Sequence, residues 1–149
     1  LPCGSVSTGG DVMSFTGNTA CNAFKIAQWT GAVDFATDVF KLALYTNAAT
    51  LGVDTAVYTA AGEIVAPGYT AGGETLTVSV QPTAEGRTVY VGFENAVFNA
   101  ALTARGALLY IDGGPAVAVL DFGADKTSTV SFTVQFPAPG RTTAILRVT

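Results

Sequence analysis

Apolar residues first recur along the chain at helical spacing and then switch to alternation. Within residues 19–29, Ala20, Ala23, Phe24 and Ala27 fall at i, i+3, i+4 and i+7, which places them on one face of a helix. A threonine or asparagine at the start and Gly31 just past the end supply the usual helix punctuation. From Asp38 onward the period becomes two. Phe40, Leu42 and Leu44 share a phase, as do Leu76, Val78 and Val80, then Val89, Val91 and Phe93, then Val130, Phe132, Val134 and Phe136. This is the pattern of strands with one buried face. Residues 107–111, 116–122 and 144–148 are apolar in both phases, so they are expected to be central strands or strands covered on both sides.

Turn chemistry separates these runs. Ala71-Gly72-Gly73-Glu74, Glu85-Gly86 and Ala138-Pro139-Gly140 each precede a strand, and Asp112-Gly113-Gly114-Pro115 divides two apolar runs as a hairpin would. The predicted fold is all-β: an antiparallel β-sandwich, Greek-key or jelly-roll-like, of about seven strands with one short N-terminal helix. Residues 1–18, rich in Gly, Ser and Thr, read as a flexible arm, and residues 19–149 as a single sandwich domain. Met13 marks a second possible start, with residues 1–12 dispensable to the fold. Residues 46–70 fit either a short hairpin or a long loop crossing the end of the sandwich. The expected core is Phe40, Leu42, Leu44, Leu76, Val78, Val89, Val91, Leu109, Val119, Phe132, Val134 and Leu146.

Composition narrows the chemistry. The 149 residues are 49% hydrophobic and only 12% charged, against about 25% charged in an average soluble domain. The sequence contains no histidine, which removes Ser-His and Cys-His nucleophilic sites and the usual general base near neutral pH. With 7 basic against 11 acidic residues and a net charge of −4, nucleic acid is not an expected partner, because affinity there comes largely from neutralised phosphates. No run of 18 apolar residues exists to span a membrane as a helix, and the first residues lack the basic and apolar regions of a signal peptide. Cys3 and Cys21 could form one bridge, or be a tail residue and a small buried hydrophobe, which leaves the redox compartment open.

Several motifs have a chemical reading and a plainer one. Asp121-Phe122-Gly123 matches a kinase metal-binding tripeptide in letters alone and is expected to be a strand ending in a turn. Asp112, Asp121 and Asp125 could gather a calcium ion, but solvated turn aspartates are the expectation. The glycine-rich stretch 68–73 leads into a strand and not a helix N-terminus, so it reads as a turn and not a phosphate cradle. Arg105, beside an apolar strand, is expected to pair with an acidic residue of its own chain before one of another subunit. Trp29 is expected to be a core anchor, with Tyr58 and Tyr69 as candidate exposed aromatics. No catalytic, cofactor-binding or metal-binding residues are assigned. Thr75, Thr77, Ser79, Thr88, Ser131 and Thr133, with Ala116 and Ala118, are expected to face outward. Such small neutral faces, poor in Lys and Glu, suit a surface covered by other copies or by a shell.

An ordered set of segments carries a likeness. It runs from Phe40-Lys41-Leu42-Ala43-Leu44-Tyr45-Thr46 through Val57-Tyr58-Thr59 and Gly68-Tyr69-Thr70-Ala71-Gly72-Gly73. It continues through Thr103-Ala104-Arg105-Gly106-Ala107-Leu108-Leu109-Tyr110 and Ala116-Val117-Ala118-Val119-Leu120-Asp121-Phe122-Gly123, and closes with Phe132-Thr133-Val134-Gln135-Phe136-Pro137 and Ala144-Ile145-Leu146-Arg147. Together these resemble a family of small virion structural proteins of tailed bacteriophages, over roughly residues 15–148. The resemblance implies a non-enzymatic virion component without a cofactor, assembled in the host cytoplasm. The first expectation is a capsid decoration or cement protein; a tail, collar or fibre component and a small carbohydrate-binding adhesin follow. The expected partners are further copies of the chain, as a homo-oligomer and foremost a trimer, and a major capsid or tail protein.

Overall fold

A computed structural model describes residues 18–148. The elements in chain order are β1 (Thr19–Ala20), α1 (Asn22–Trp29), β2 (Phe40–Tyr45), β3 (Glu74–Thr75), β4 (Val78–Glu85), β5 (Thr88–Phe93), β6 (Ala96–Phe98), β7 (Leu102–Ile111), β8 (Ala116–Ser128), β9 (Phe132–Val134) and β10 (Leu146–Val148). Every strand pairing is antiparallel. A five-stranded sheet in the order β1-β8-β7-β2-β3 faces a three-stranded sheet, β10-β5-β4, and a two-stranded one, β6-β9. Among the described residues the fold is therefore all-β and sandwich-like, with one helix, as the switch from helical spacing to alternation predicts. The strands beyond the expected seven are the short β1, β3 and β6, each too brief to show a period.

The inner core joins Phe40, Leu42, Leu44, Leu109 and Ile111 of the large sheet to Val91, Phe93, Phe98, Phe132, Val134 and Leu146 of the smaller ones. Phe35, from the loop after α1, stacks on Phe40 at 4.8 Å, and Phe93 tilts against both rings. A second cluster lies on the opposite face of the large sheet: Cys21, Ala43, Tyr45, Leu108, Tyr110, Ala116 and Val119, roofed by Ala49, Leu51 and Tyr58. Strands β7 and β8 are thus covered on both faces, which explains their unbroken apolar runs.

The helix begins at Asn22, after β1 has paired Thr19 and Ala20 with Val119 and Ala118 of β8. Its end follows the expected glycine rule. Gly31 adopts φ 75°, its N–H donates to the Gln28 carbonyl, and the Ala32 N–H donates to the Ala27 carbonyl, a Schellman closure. The expected hairpin joins β7 and β8 through Asp112–Pro115, with Gly113 at φ 75°.

Four expectations are corrected. Val89 lies on the inner face of β5 but is 46% exposed, because the sandwich is uncovered at that end, and Val78 is only half-buried. Ala116 and Ala118 are buried and not outward, Ala116 in the cluster on the outer face and Ala118 in the inner core, and Thr88 is buried as well. The run 130–136 contributes only the short β9, which leaves Val130 79% exposed. The run 144–148 forms the edge strand β10, with Val148 exposed, and not a central one. The arm expected over residues 1–18, and Cys3 with it, lies outside the described residues apart from Asn18.

Candidate functional site

The stretch 46–73 has no hydrophobic period, yet side-chain hydrogen bonds anchor it at several points. Its first part, with Ala49, Leu51 and Tyr58, covers the outer face of the five-stranded sheet, and its second part passes the edge of β2, where Ile64, Ala66 and Tyr69 join the inner core. Its only ladder contacts are isolated bridges, Tyr45 with Glu63 and Val57 with Pro115. The anchor is Glu63, 8% exposed. Tyr58 Oη donates to Glu63 Oε1 at 2.5 Å, Tyr69 Oη donates to Oε2 at 2.8 Å, and the Gly72 N–H donates to Oε2 at 2.7 Å. Tyr69 Oη accepts from the Leu44 N–H at 2.9 Å, Tyr45 Oη donates to the Thr59 carbonyl at 2.6 Å, and Tyr110 Oη donates to the Gly72 carbonyl at 2.5 Å. A buried carboxylate holding three donors is satisfied without a cation. Burial, reinforced by the Glu63 charge, raises the phenols of Tyr45 and Tyr69 above their ordinary range. Burial first, then Glu63, brings Tyr58 to about 12; burial, then Asp112 and Glu63, brings Tyr110 to about 12.

Where the roof stops, a cavity of about 430 Å³ opens beside this network, lined by Lys41, Val57, Tyr58, Gly72, Tyr110 and the Asp112–Gly114 turn. Tyr58 rests on Tyr110 with ring centroids 4.9 Å apart and planes at 26°. Gly72 takes φ 93°, and a Cβ there would stand 3.3 Å from Tyr110 Oη and 3.5 Å from Lys41 Nζ. Glycine therefore keeps this wall clear. Lys41 is half-buried, and among the described residues no carboxylate comes within ion-pair distance of its ammonium.

A second surface surrounds α1. Phe24 and Ala27 are buried, whereas Ile26 is 64% and Trp29 91% exposed. Trp29 is no core anchor: five residues at about 100° each put it roughly 140° around the helix from Phe24. At the uncovered end of the sandwich, Phe24, Phe35, Val89, Val91, Leu146 and Val148 line an apolar cleft of about 110 Å³.

The remaining sequence candidates fall apart as a constellation. Asp121 pairs with Arg105 of the same chain, and its backbone N–H donates to Asn18 Oδ1 at 2.7 Å. Asp125 accepts from Asn47 at 3.3 Å. Asp112 sits at the hairpin tip, some five strand residues or about 17 Å from Asp121. Among the described residues no group of three His, Cys, Asp or Glu is placed to hold a metal ion. Asp121-Phe122-Gly123 does not end its strand. It opens a bulge, with Gly123 at φ 80°, beyond which β8 resumes pairing at Lys126. Residues 68–73 are turns leading into β3, as expected. A Cβ on Gly73 would collide with the Leu42 carbonyl, so the turn lies directly against β2. Cys21 is buried, its thiol pushed up to about 12 by burial, as befits a small hydrophobe. Tyr58 and Tyr69 are half-buried and bonded to Glu63, not displayed.

Sequence reading missed Glu63 and Lys41. The available signals were that Lys41 is the one charged residue in Phe40–Tyr45 and that Glu63 stands between tyrosines at 58 and 69. Comparison with family models, curated proteins and solved structures returns no match for this chain.

Proposed function

We propose that this protein is a non-enzymatic virion structural protein of a tailed bacteriophage, a capsid decoration or cement protein that docks on the head shell as a homotrimer. The observation that carries the docking reading is the outward pair Trp29 and Ile26 on α1. A tryptophan exposed on a rigid helix is poorly placed for a solitary monomer and well suited to an interface centre, where Trp is enriched. The low charge of the chain supports the same reading, since interface cores are depleted of charge. The virion assignment rests on the ordered resemblance over residues 15–148. A tail, collar or fibre location is the second reading, and the same apolar helix face would serve it.

Imaging virions that carry a gold-labelled copy of the chain tests both readings. Label spread over the head is the expected result; label at one vertex selects the tail reading, and unlabelled virions overturn both. In the same assay Trp29→Ala is expected to weaken docking by tenfold or more, a loss of at least about 1.4 kcal/mol, without altering the circular dichroism of the free protein.

A further inference from the structure

The cavity beside Lys41 lies apart from the outward face of α1. We propose that it binds a carboxylated monosaccharide unit, a uronic acid, with Lys41 as the anion partner and Tyr58 as the apolar wall.

Three observations carry this. First, the size fits: about 430 Å³ falls within the range of roughly 300–1,000 Å³ typical of small-ligand sites. Second, the site is held in shape before any ligand arrives. Tyr58 is fixed by its bond to Glu63 and its contact with Tyr110, while the Gly72 turn is fixed by bonds from both sides, its N–H to Glu63 and its carbonyl to Tyr110. A rigid site loses little freedom on binding. Third, the polar groups are few and specific. The half-buried Lys41 ammonium has no carboxylate partner among the described residues, and Asp112 stands at the rim as an acceptor.

One ammonium balances one carboxylate, and a charge-assisted bond of this kind is stronger than a neutral one. With Asp112 at the rim, a bound carboxylate leaves one negative charge unbalanced and a phosphate dianion two, so the carboxylate is the better match. A sugar ring presents an apolar C–H face to an aromatic wall and hydroxyls to Asp112 and to the backbone groups of the Gly113–Gly114 turn. This inference does not rest on the virion reading and survives its failure.

The experiment titrates the full chain with the methyl glycosides of glucuronic and galacturonic acid, and with methyl glucoside as the neutral control, read by ligand-observed NMR. An acidic glycoside is expected to bind saturably and at least about tenfold more tightly than the neutral one, about 1.4 kcal/mol. Lys41→Gln should abolish that preference, and Asp112→Asn should strengthen acidic binding by removing a like charge. Tyr58→Leu, which keeps the roof apolar, should weaken acidic and neutral sugars alike. Absence of saturable binding by either acidic glycoside overturns the proposal. So does equal binding of the neutral control, or acidic binding indifferent to Lys41→Gln in a variant whose melting temperature is unchanged.

Discussion

The two faces of the five-stranded sheet are buried by opposite means. The inner face meets other strands, and its contacts are aliphatic and aromatic: Phe40, Leu42, Leu44 and Leu109 against Phe93, Val91 and Leu146. The outer face meets an irregular segment, whose backbone polar groups must be paired one at a time. Tyrosines perform that task, each burying a ring while keeping a hydroxyl for a bond. On the outer face Tyr45 bonds the Thr59 carbonyl, Tyr110 the Gly72 carbonyl and Tyr58 the Glu63 carboxylate, and Tyr69 reaches the same carboxylate with its ring packed against the inner core. A strand layer is held by area; a loop layer is held by area and named bonds together. The two should therefore fail differently.

The largest effect is expected on the inner face. Phe40 is 1% exposed and packs against Phe35 and Phe93. Phe40→Ala should cost about 3–5 kcal/mol through lost transfer and a residual cavity. Urea unfolding would show it as a fall in midpoint at constant slope. A loss below about 1 kcal/mol, the scale of an unremarkable substitution, would mean the core collapses around the gap and the inner face is not organised by this ring.

Alkaline pH probes the tyrosine network that anchors the roof. The phenols of Tyr45, Tyr58, Tyr69 and Tyr110 are raised in the folded state above the ordinary value of 10, to about 12 for Tyr58 and Tyr110. A raised phenol keeps its proton when folded and loses it when unfolded, so its contribution is complete below pH 10 and disappears as pH climbs through the folded value. For the enclosed Tyr45 and Tyr110, each pH unit in that window withdraws about 1.4 kcal/mol per group. The expected outcome is an alkaline unfolding transition above pH 10 in which tyrosinate absorbance rises together with loss of structure. Tyrosinate at Tyr45, Tyr58, Tyr69 or Tyr110 well before unfolding, read residue by residue by NMR so that Tyr90 of β5 is set apart, would show that the roof opens without the sandwich.

The same contrast explains what could be read from sequence. Strands β2 and β5 were legible from the alternation of their apolar residues, β7 and β8 from their unbroken apolar runs, and the β7–β8 hairpin because Asp112-Gly113 encodes its turn locally. Val89 was misread because alternation reports which face a residue is on, not whether that end of the sandwich is covered. Trp29 was misread because hydrophobicity outweighed its helical angle. The resumption of β8 beyond Gly123 was hidden, because a bulge and a strand end share the same turn chemistry. The roof was invisible for a deeper reason. Its order depends on Glu63 meeting Tyr58, Tyr69 and Gly72, and on Tyr110 reaching back 38 residues to Gly72. No short-range pattern encodes such pairings, so the Lys41 cavity that the roof borders was hidden as well.

The smallest and most discriminating change is Tyr69→Phe. It removes one oxygen and almost no volume, and the ring keeps its stacking on Phe98 at 5.8 Å. Lost are the bond to Glu63 Oε2 and the acceptor for the Leu44 N–H. Stranding buried polar partners costs about 1–3 kcal/mol. The loss falls on a segment tied down by other bonds, with Gly72 still donating to the same carboxylate oxygen. The expected result is a destabilisation in the lower half of that range, with amide hydrogen exchange accelerated in residues 58–73 and unchanged in β5 and β10. Uniform acceleration across both layers would mean that roof and sandwich open as one unit, and the distinction between the two faces would be one of chemistry alone.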